Sequence, residues 1–500
     1  MGNKFVEAMV KEGNRTLTEN GMEAVKSTES ALVDLFGVIG ALRSRSSDEV
    51  ERLFAAAMSE DKLLAVKLAF YSRDIRGGLG ERRVSKDIFK YLANVHPDIM
   101  KKNLCYVPAF GRWDDLYVFV GTPVEDAMWE LVKEQFERDL DGMSKGENVS
   151  LLGKWLKSVN TSSAESRELG RLTAKKLGIK EREYRKTLSA LRKYIDVVEV
   201  KMSEGRWEDI EYSQVPSLAM KNYRNAFRNR DGERFEEFIN KVATGEEKIN
   251  ASTLYPYNII EGYGLNTWGG SHISTYKNFD MVLEEQWKAL PNYVTGENNI
   301  LIMADTSGSM EGRPLNTSVG LAIYFAERNK GEFKDLFLTF SSKPSLVKLK
   351  GDTLYDKIKS VPAIVDNTDI EAAFDLVLNT SIERNVPKED MPKAIVIISD
   401  MEFDYIHANN KWDSDNVDWT FYGEMKERFE KSGYDMPNIV FWNVDSRNDV
   451  FHAFSDYRGV QMASGQSVAV FKQILNNFDK TPYEAMLEVL NRPEYDCITI

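Results

Sequence analysis

The chain has little of what marks secreted, membrane or disulfide-rich proteins. It contains two cysteines and four histidines in 500 residues. Cys105 and Cys497 are too far apart along the chain for a metal-type spacing, and two free thiols are typical of a reducing cytoplasm. No apolar run approaches the ~20 residues that span a bilayer, and the first residues lack the apolar stretch of a secretory signal. We therefore expect a cytoplasmic protein without a membrane partner.

Sequence motifs of catalysis are also missing. The four histidines form no spaced pair. Gly80 is followed by Glu81-Arg82, and not by the Gly-Lys-Ser/Thr that a phosphate-binding P-loop requires. Asp305-Thr306-Ser307-Gly308 has the form of an aspartic-protease triplet, but that all-β fold needs a second triplet, which the sequence does not contain. Hydrolytic magnesium sites usually bring more carboxylates and a positioned base. The sequence therefore predicts no enzyme.

The net charge of −13 is spread unevenly along the chain. Residues 296–500 hold 21 Lys and Arg against 33 Asp and Glu, a balance of −12, so the remainder carries −1. The acidic character belongs to the carboxyl-terminal part, and the amino-terminal part is neutral overall with local basic blocks. A chain of this length exceeds one ordinary core, so two or three domains are expected.

Two patterns of hydrophobicity divide the chain. Between residues 30 and 294, apolar side chains recur three and four apart, as at 62–70 and 127–140. This pattern predicts an all-α, HEAT-like helical-repeat domain behind a polar leader at 1–29. From 295 to 500, short apolar runs alternate with amphipathic helices. These runs predict a multidomain chain whose second part is an α/β doubly wound, Rossmann-like domain with a helical tail.

The apolar runs of the second part place its strands. We expect a mostly parallel sheet, covered on both faces by helices. The predicted strands lie at 299–304, 336–340, 394–399, 438–444 and 459–463, with a short antiparallel strand at 345–349.

A polar turn, Asp305-Thr306-Ser307-Gly308-Ser309, follows the first of these strands. One carboxylate and two hydroxyls at alternate positions supply the hard oxygen atoms that Mg²⁺ prefers in near-octahedral geometry. Ligands of doubly wound sheets bind at the carboxyl ends of the strands, where this turn lies. A site with so few charges attracts an acidic group from outside, which indicates metal-assisted binding. The alternative is a turn that only caps the next helix, since Ser and Asp favour that position.

Two further side chains fall at the same edge of the predicted sheet. Thr368 opens a helix after a long loop, and Asp400 ends the strand at 394–399. In this order the turn, the threonine and the aspartate resemble the metal-ion-dependent adhesion site (MIDAS) of von Willebrand factor type A domains. The resemblance implies that Ser307, Ser309 and Thr368 coordinate Mg²⁺, or another divalent cation, directly or through water. It also implies that Asp305 and Asp400 lie in or behind the ligand set.

The combination of a helical array with such an α/β domain resembles the Ro autoantigen (TROVE) family. The likeness is closer to uncharacterised relatives of phages, large viruses, plants and fungi that have the same two-part layout. It is carried by RDIRGGLGER (73–82), KWL (154–156), VPSLAM (215–220) and KINASTLYP (248–256). Ro proteins form helical-repeat rings that bind small structured RNAs and the ends of defective RNAs. The resemblance therefore implies a ribonucleoprotein, in the host cytoplasm if a phage encodes it.

Basic residues of the helical part form two blocks, at 171–193 and 221–234. Their cations can neutralise phosphates, and the aromatic residues between them can stack on unpaired bases. The predicted nucleic-acid contacts are Lys175, Lys176, Lys180, Arg182, Arg185, Lys186, Arg192, Lys193, Arg224 and Arg228. The alternative is a pair of helices whose cations face water and whose aromatics face the core. The segment at 73–83 either brings backbone amides to a phosphate or only turns between two helices.

We predict a non-enzymatic, Ro-like RNA-binding protein. In this hypothesis the helical surface contacts small non-coding or misfolded RNA, structured or single-stranded, and the Mg²⁺ site contacts an acidic protein side chain. The alternative function is a metal-dependent protein-interaction scaffold, possible for a phage-encoded protein, that has no nucleic-acid role.

Overall fold

The chain folds into two compact units in the computed structural model. The residues that it describes are 9, 12–268, 270–294, 299–339, 341–363, 367–404, 420–468, 470–471 and 478–500. We call residues 1–65, 77–79 and 251–493 the sheet unit, and residues 66–76, 80–250 and 494–500 the helical unit. These units group residues by contact in space, so the domain boundaries predicted along the sequence stay a prediction.

The strands are short and lie mainly in the second half of the chain. They are β1 Arg15–Leu17, β2 Glu23–Val25, β3 Leu265–Asn266, β4 Ser274–Thr275, β5 Ile300–Ala304, β6 Leu336–Thr339, β7 Leu346–Lys348, β8 Ala394–Ser399, β9 Asn438–Asn443 and β10 Val460–Ser464. The last six form one sheet in the order β10-β9-β8-β5-β6-β7, and β7 is its one antiparallel member. Every residue of β5 and β8 is buried, as continuous apolar strands covered on both faces require.

Helices make up most of the remaining ordered chain. The α-helices of the described residues are α1 Ala31–Val38, α2 Ser47–Glu60, α3 Lys62–Arg73, α4 Arg83–Val95, α5 Pro97–Asn103, α6 Val107–Phe110, α7 Glu125–Lys145, α8 Leu152–Trp155, α9 Ala164–Lys176, α10 Glu181–Tyr194, α11 Val198–Glu204, α12 Ser217–Arg230, α13 Gly232–Thr244, α14 Pro256–Tyr263, α15 Met281–Lys288, α16 Arg313–Arg328, α17 Leu354–Ser360, α18 Ile370–Arg384, α19 Phe421–Lys431 and α20 Pro482–Leu490. None of these helices is long and apolar enough to cross a membrane.

The predicted fold class is confirmed, with an amino-terminal helical region and a mostly parallel six-stranded sheet flanked by helices. Two details differ. The predicted polar leader contains the β1–β2 hairpin, and the region predicted to be all-α contains the two-residue strands β3 and β4. Phe340, the last residue of the strand predicted at 336–340, lies outside the described residues.

The core of the sheet unit lies between the sheet and the helices around it. α16, whose Val319 and Phe325 are buried, packs against β5 and β8, and α14 packs against α16. Phe374 of α18 and Phe421 of α19 meet at 5.2 Å between ring centroids. Phe421 is in turn 6.4 Å from Phe441 of β9. These contacts hold the strands rigidly, and the loops at their carboxyl ends are positioned by them.

The amino-terminal segment belongs to the sheet unit. Residues of β2 pair with the loop after β9, where Val25 and Phe451 exchange backbone hydrogen bonds of 3.0 and 2.9 Å. Buried Arg45 donates to the carbonyl of Ser446 at 2.9 Å and forms an ion pair of 2.5 Å with Asp449. A buried guanidinium requires such a partner, because an unpaired charge in the interior is costly. Val25 and Arg45 therefore bind the amino-terminal segment to the loop after β9.

In the helical unit, short helices pack against their neighbours in sequence. α9 packs on α10, α8 lies between α7 and α10, and α12 packs on α13. The long α7 ends at Gly146, whose φ of 75° is accessible to glycine without a steric penalty. On α10 the side chains of Tyr184, Leu188 and Leu191 are buried. Their spacing of three and four residues leaves the opposite face of α10 to solvent.

A substitution at Gly40, which follows α1, can test the close packing of the amino-terminal segment on β10. A β-carbon at this position would lie 2.7 Å from the carbonyl carbon and oxygen of Ser464, which are backbone atoms and cannot rotate away. We expect Gly40→Ala to lower the free energy of unfolding by about 1–3 kcal/mol, as overpacking does. The measurement is the shift of the urea unfolding midpoint. Gly13→Ala, with no atom within 4 Å of the added carbon, is the control, and an equal effect of both changes would contradict this packing.

Candidate functional site

The pairing of β5 with β8 brings two carboxylates of the predicted metal site together. The strands are parallel neighbours with Ala304 opposite Ile398. The amide of Asp305 donates to the carbonyl of Ile398 at 3.0 Å. The hydroxyl of Ser399 donates to Asp305 Oδ2 at 2.7 Å and lies 3.4 Å from Asp400 Oδ1. Asp305 and Asp400 are 1% and 3% exposed, so both carboxylates lie below the surface at this edge of the sheet.

The two serines of the turn lie above the buried carboxylates. Asp305 Oδ1 accepts a hydrogen bond of 2.9 Å from the amide of Ser307, which folds the turn back over the aspartate. The hydroxyls of Ser307 and Ser309 are 3.0 Å apart. Ser309 is exposed and Ser307 is half-buried. The turn therefore presents two adjacent hydroxyl oxygens towards solvent, directly after a buried carboxylate.

Thr368 is held against the loop that follows β8. Its hydroxyl lies 3.3 Å from the carbonyl of Glu402 and 3.0 Å from Asp404 Oδ2, and its amide also donates to Asp404. Asp369, the next residue, caps α18 through a hydrogen bond of 2.8 Å to the amide of Ala372. Asp404 is thus a positioning residue for Thr368. Thr368 therefore lies against residues 399–404, the loop that also contains Asp400.

An arginine that the sequence did not point to neutralises part of the site. Arg447, in the loop after β9, donates to Asp400 Oδ2 at 2.7 Å and to Glu19 at 3.0 Å. Burial, and then the nearby Asp400 carboxylate, raises the pKa of Asp305. Asp305, Asp400 and Arg447 together carry a net negative charge, and both carboxylates are buried. No local pattern marks Arg447, since it lies 47 residues beyond Asp400 in the sequence.

The donor atoms at this edge suit a hard divalent cation. They are carboxylate and hydroxyl oxygens, which Mg²⁺ prefers. In the described part of the chain, no group of three or more His, Cys, Asp or Glu is arranged to hold a metal ion. A cation here would therefore depend on Ser307, Ser309 and Asp305, with Thr368 and Asp400 behind them. Few protein charges and several water ligands are the usual pattern for Mg²⁺.

The loop at 399–404 packs against a buried histidine. His452 packs against Phe403 and Phe441, with ring centroids 4.7 and 5.6 Å away. Its Nε2 lies 3.0 Å from the carbonyl of Met401, and its Nδ1 has no hydrogen-bond partner. A protonated ring would hold a charge with no counter-charge on the Nδ1 side. Burial accordingly lowers the pKa of His452 to about 4.

The helical unit displays six of the predicted nucleic-acid contacts without a protein partner. On and beside α9 and α10, these side chains are exposed and form no ion pair or side-chain hydrogen bond within the described residues. We call them the basic row, and they are Lys175, Lys180, Arg182, Arg185, Lys186 and Lys193. Arg182, Lys186 and Lys193 recur at helical spacing on the face opposite Leu188, and Arg185 lies at the side of that face. The row is a positive surface that the protein does not itself neutralise.

The other four predicted contacts are engaged with protein groups. Arg192 donates to the carbonyls of Gly153 and Leu156 and to the hydroxyl of Ser158. Arg224 is buried and donates to the carbonyl of Lys221. Arg228 pairs with Glu236 at 3.1 Å, and Lys176 with Glu125 at 3.2 Å. Arg192 therefore joins α10 to the segment at 153–158, whereas the hydrogen bond of buried Arg224 lies within α12.

The aromatic residues of the basic blocks face mainly inward. Tyr184 and Phe227 are both 0% exposed, so neither can stack on a base. Tyr223 is half-buried and its hydroxyl donates to Glu199. Tyr194 is 38% exposed, and its hydroxyl donates to the carbonyl of Glu147 at 2.6 Å. One exposed ring therefore remains next to the basic row.

Two of the four arginines at 73–83, Arg73 and Arg82, belong to an ionic cluster of the helical unit. Arg73, which is 2% exposed, pairs with Asp115 at 2.7 Å, and Arg82 pairs with Asp114 at 2.5 Å. Lys157 reaches the same oxygen of Asp114 at 3.2 Å. These contacts favour the interpretation of the segment as a turn whose arginines are anchored in the fold. The consecutive aspartates were the signal in the sequence that could have revealed this cluster.

Comparison with known proteins gives matches along most of the chain. The family "Domain of unknown function (DUF2828)" matches residues 18–136 and 150–298, and "Domain of unknown function (DUF7788)" matches residues 299–493. An uncharacterised protein, L728, of Acanthamoeba polyphaga mimivirus is 28% identical over 95% of this chain and 87% of its own length. The crystal structure of the Deinococcus radiodurans RO (RSR) protein covers 93% of this chain and 99% of its own, with a TM-score of 0.42 and 14% identity. Those last two values are too low to support an argument about this chain.

The titration of His452 should appear in the pH dependence of stability. The pKa of about 4 in the folded protein lies below the ~6.5 of an unfolded histidine. The stability that this group contributes is therefore complete above pH ~6.5 and is lost as the pH falls towards the folded pKa. The glutamine of His452→Gln stays neutral at every pH. We therefore expect the free energy of unfolding of this variant to fall less than that of the wild type between these pH values, by up to about 3 kcal/mol. Denaturant unfolding at several pH values checks this, and parallel curves for both proteins would contradict it.

Proposed function

The chain belongs to the DUF2828 family, and on the structure of its helical unit we propose that it is a non-enzymatic RNA-binding protein. The observation that supports this most is the basic row, Lys175, Lys180, Arg182, Arg185, Lys186 and Lys193, whose charges have no protein partner among the described residues. A chain with a net charge of −13 has carboxylates available for pairing. It nevertheless keeps this surface positive.

The dimensions of the basic row suit a nucleic-acid backbone. Arg182 and Lys193 are eleven residues apart on α10, which corresponds to about 16 Å along the helix. Several phosphates of one strand fit along this length, and each neutralised phosphate releases a counterion. The exposed ring of Tyr194 at the end of the row can stack on an unpaired base. The proposed partner is therefore small structured RNA with single-stranded segments, including non-coding or misfolded RNA.

RNA binding can be tested by charge reversal within the basic row. The variant combines Lys175→Glu, Lys180→Glu, Arg185→Glu and Lys186→Glu, and none of these four side chains forms an ion pair or hydrogen bond among the residues that the structure describes. We expect affinity for a fluorescent RNA hairpin with a single-stranded tail to fall by about a hundredfold or more at low salt. The slope of log affinity against log salt should decrease by about three.

The matched control carries the same change in charge at four other exposed lysines of the helical unit. It combines Lys90→Glu, Lys101→Glu, Lys133→Glu and Lys248→Glu. Retained affinity in the control and lost affinity in the row variant support a defined surface. Equal losses in both, or no measurable binding of the wild type at low salt, would refute the proposal. A duplex DNA of equal length distinguishes preference for RNA from general attraction of polyanions.

A second proposed activity is cation-dependent capture of an acidic protein side chain by the sheet unit. The geometry of Asp305, Ser307 and Ser309 supports it, since two hydroxyls lie above a buried carboxylate. These residues would hold Mg²⁺, with Thr368 and Asp400 completing the site. The bound cation would supply an unsatisfied positive charge for a carboxylate of the partner. Arg447 already neutralises Asp400, which should keep the affinity for the cation moderate.

Cation binding predicts a rise in thermal stability on addition of Mg²⁺. A ligand that binds only the folded state stabilises it by RT ln(1 + [L]/Kd). We expect the double variant Ser307→Ala/Ser309→Ala to lose this rise, and Arg447→Gln to increase it because a competing positive charge is removed. Differential scanning calorimetry in Mg²⁺ and in a chelator measures the shift.

Ser432→Ala, at an exposed hydroxyl of the same unit, is the control for this measurement. It should respond to Mg²⁺ as the wild type does. A wild type whose unfolding temperature is the same in Mg²⁺ and in a chelator would show that these oxygens do not hold the cation.

A further inference from the structure

The helical unit contains a cleft of about 650 Å³ that neither the basic row nor the metal site uses. It lies between the start of α4, the segment at 114–120 and α9. Its charged lining consists of Lys86, Asp114, Lys157, Glu165 and Glu168. A concave site of this volume that combines charged and apolar walls is of the size that binds small molecules.

One wall of the cleft carries an excess of positive charge. This wall belongs to the ionic cluster, whose two carboxylates are the buried Asp114 and Asp115. The cations of the cluster outnumber these carboxylates, and they are Arg73, Arg82, Lys86, Arg112 and Lys157. The ammonium of Lys86 is 3.8 Å from the nearest carboxylate oxygen, too far for a hydrogen bond. Burial, and then repulsion by Arg82, lowers the pKa of Lys86. An anion placed between Lys86 and Lys157 would relieve this repulsion.

A second wall, formed by α9, carries hydrogen-bond acceptors. Glu165, Ser166 and Glu168 occupy the first turns of α9 and line the cleft. The two carboxylates are exposed, and within the described residues no protein group pairs with them. A carboxylate that accepts hydrogen bonds from ribose hydroxyls is a common feature of dinucleotide sites. They also oppose the entry of a long polyanion, because each repels a second phosphate.

The floor between the two walls is apolar. Val118, Val120, Leu169 and Leu172 line it and are each partly exposed. Tyr117 completes the floor, and its hydroxyl is fixed by the amide of Lys157 at 3.1 Å and by Thr173 at 2.9 Å. Partly exposed aliphatic side chains in a concave site offer a surface for a flat, weakly polar ring.

From this arrangement we propose that the cleft binds a nucleoside monophosphate. The phosphate lies between the ammonium groups of Lys86 and Lys157. The ribose hydroxyls donate to Glu165 and Glu168, and the base covers the apolar floor. The same chemistry is present in a free nucleotide and in one nucleotide of an RNA strand. This assignment does not depend on RNA binding by the basic row, since no residue is shared between the two surfaces.

Isothermal titration calorimetry with AMP tests the assignment on the full chain. We expect saturable binding in the wild type and weaker binding of adenosine, of inorganic phosphate and of 2′,3′-dideoxy-AMP, since each lacks one of the three contacts. Lys157→Met and Lys86→Met should each weaken AMP binding by about tenfold or more, the usual loss for a charge-assisted hydrogen bond. Lys133→Met, an exposed lysine on α7, should leave it unchanged.

A second variant does not alter the buried charges. Ser166→Trp places a large ring in the cleft from a half-exposed position of α9 and should abolish AMP binding while circular dichroism stays unchanged. Equal AMP affinity in the wild type and in Ser166→Trp would overturn the proposal, as would absence of saturable binding at millimolar AMP.

The source of the nucleotide follows from two further measurements. The charge-reversed variant of the basic row should bind AMP as the wild type does, which separates a failure of the cleft from a failure of RNA binding. If Ser166→Trp retains RNA affinity, the ligand is a free nucleotide. If Ser166→Trp loses RNA affinity together with AMP, the cleft holds a nucleotide of the strand.

Discussion

The parallel pairing of β5 with β8 is the constraint on which the candidate metal site depends. With Ala304 opposite Ile398, the two strands end together and direct Asp305 and Asp400 to one edge of the sheet. A slip of one residue would turn every side chain of a strand to the other face. Both strands are apolar and buried throughout, so a slip along the strand direction would draw Asp305 or Asp400 into the apolar core, which is costly for an unpaired carboxylate. The hydrophobic core thereby sets the separation of two carboxylates that do not belong to it.

Bringing these carboxylates together carries an electrostatic cost, which the surrounding loops reduce. Ser399 shares its hydroxyl between them, and Arg447 supplies a positive charge from a different loop. His452 supports the same region in its neutral form. The remaining negative charge, with two hydroxyls above it, is the physical reason to expect a divalent cation. Without a cation, repulsion between the carboxylates destabilises the folded protein, and a bound divalent cation would remove this repulsion.

The helical unit uses the same residue types for opposite purposes. Arg73 and Arg192 are held by carboxylates or carbonyls and stabilise contacts between helices. Arg182 and Lys186 have no partner within the described residues and project from α10. The ionic cluster around Asp114 lies between these extremes, because its excess cations border a cleft. Positive side chains in this unit therefore occur in three settings: contacts between helices, the basic row and the cleft. The neighbours of each side chain in the fold decide which setting it belongs to.

Hydrophobic periodicity by itself determined the class of fold, because continuous apolar runs and runs at helical spacing have few alternatives once they must be buried. It also placed Asp305, Thr368 and Asp400 at element ends, since the end of an apolar run is visible in the residues themselves. Only the tertiary structure decided that Arg447 pairs with Asp400, and that Arg192 is structural while Arg182 is free for a ligand. Such pairings depend on distances between segments far apart in the chain. The residues next to a charged side chain in the sequence do not reveal which partner it contacts in the folded protein.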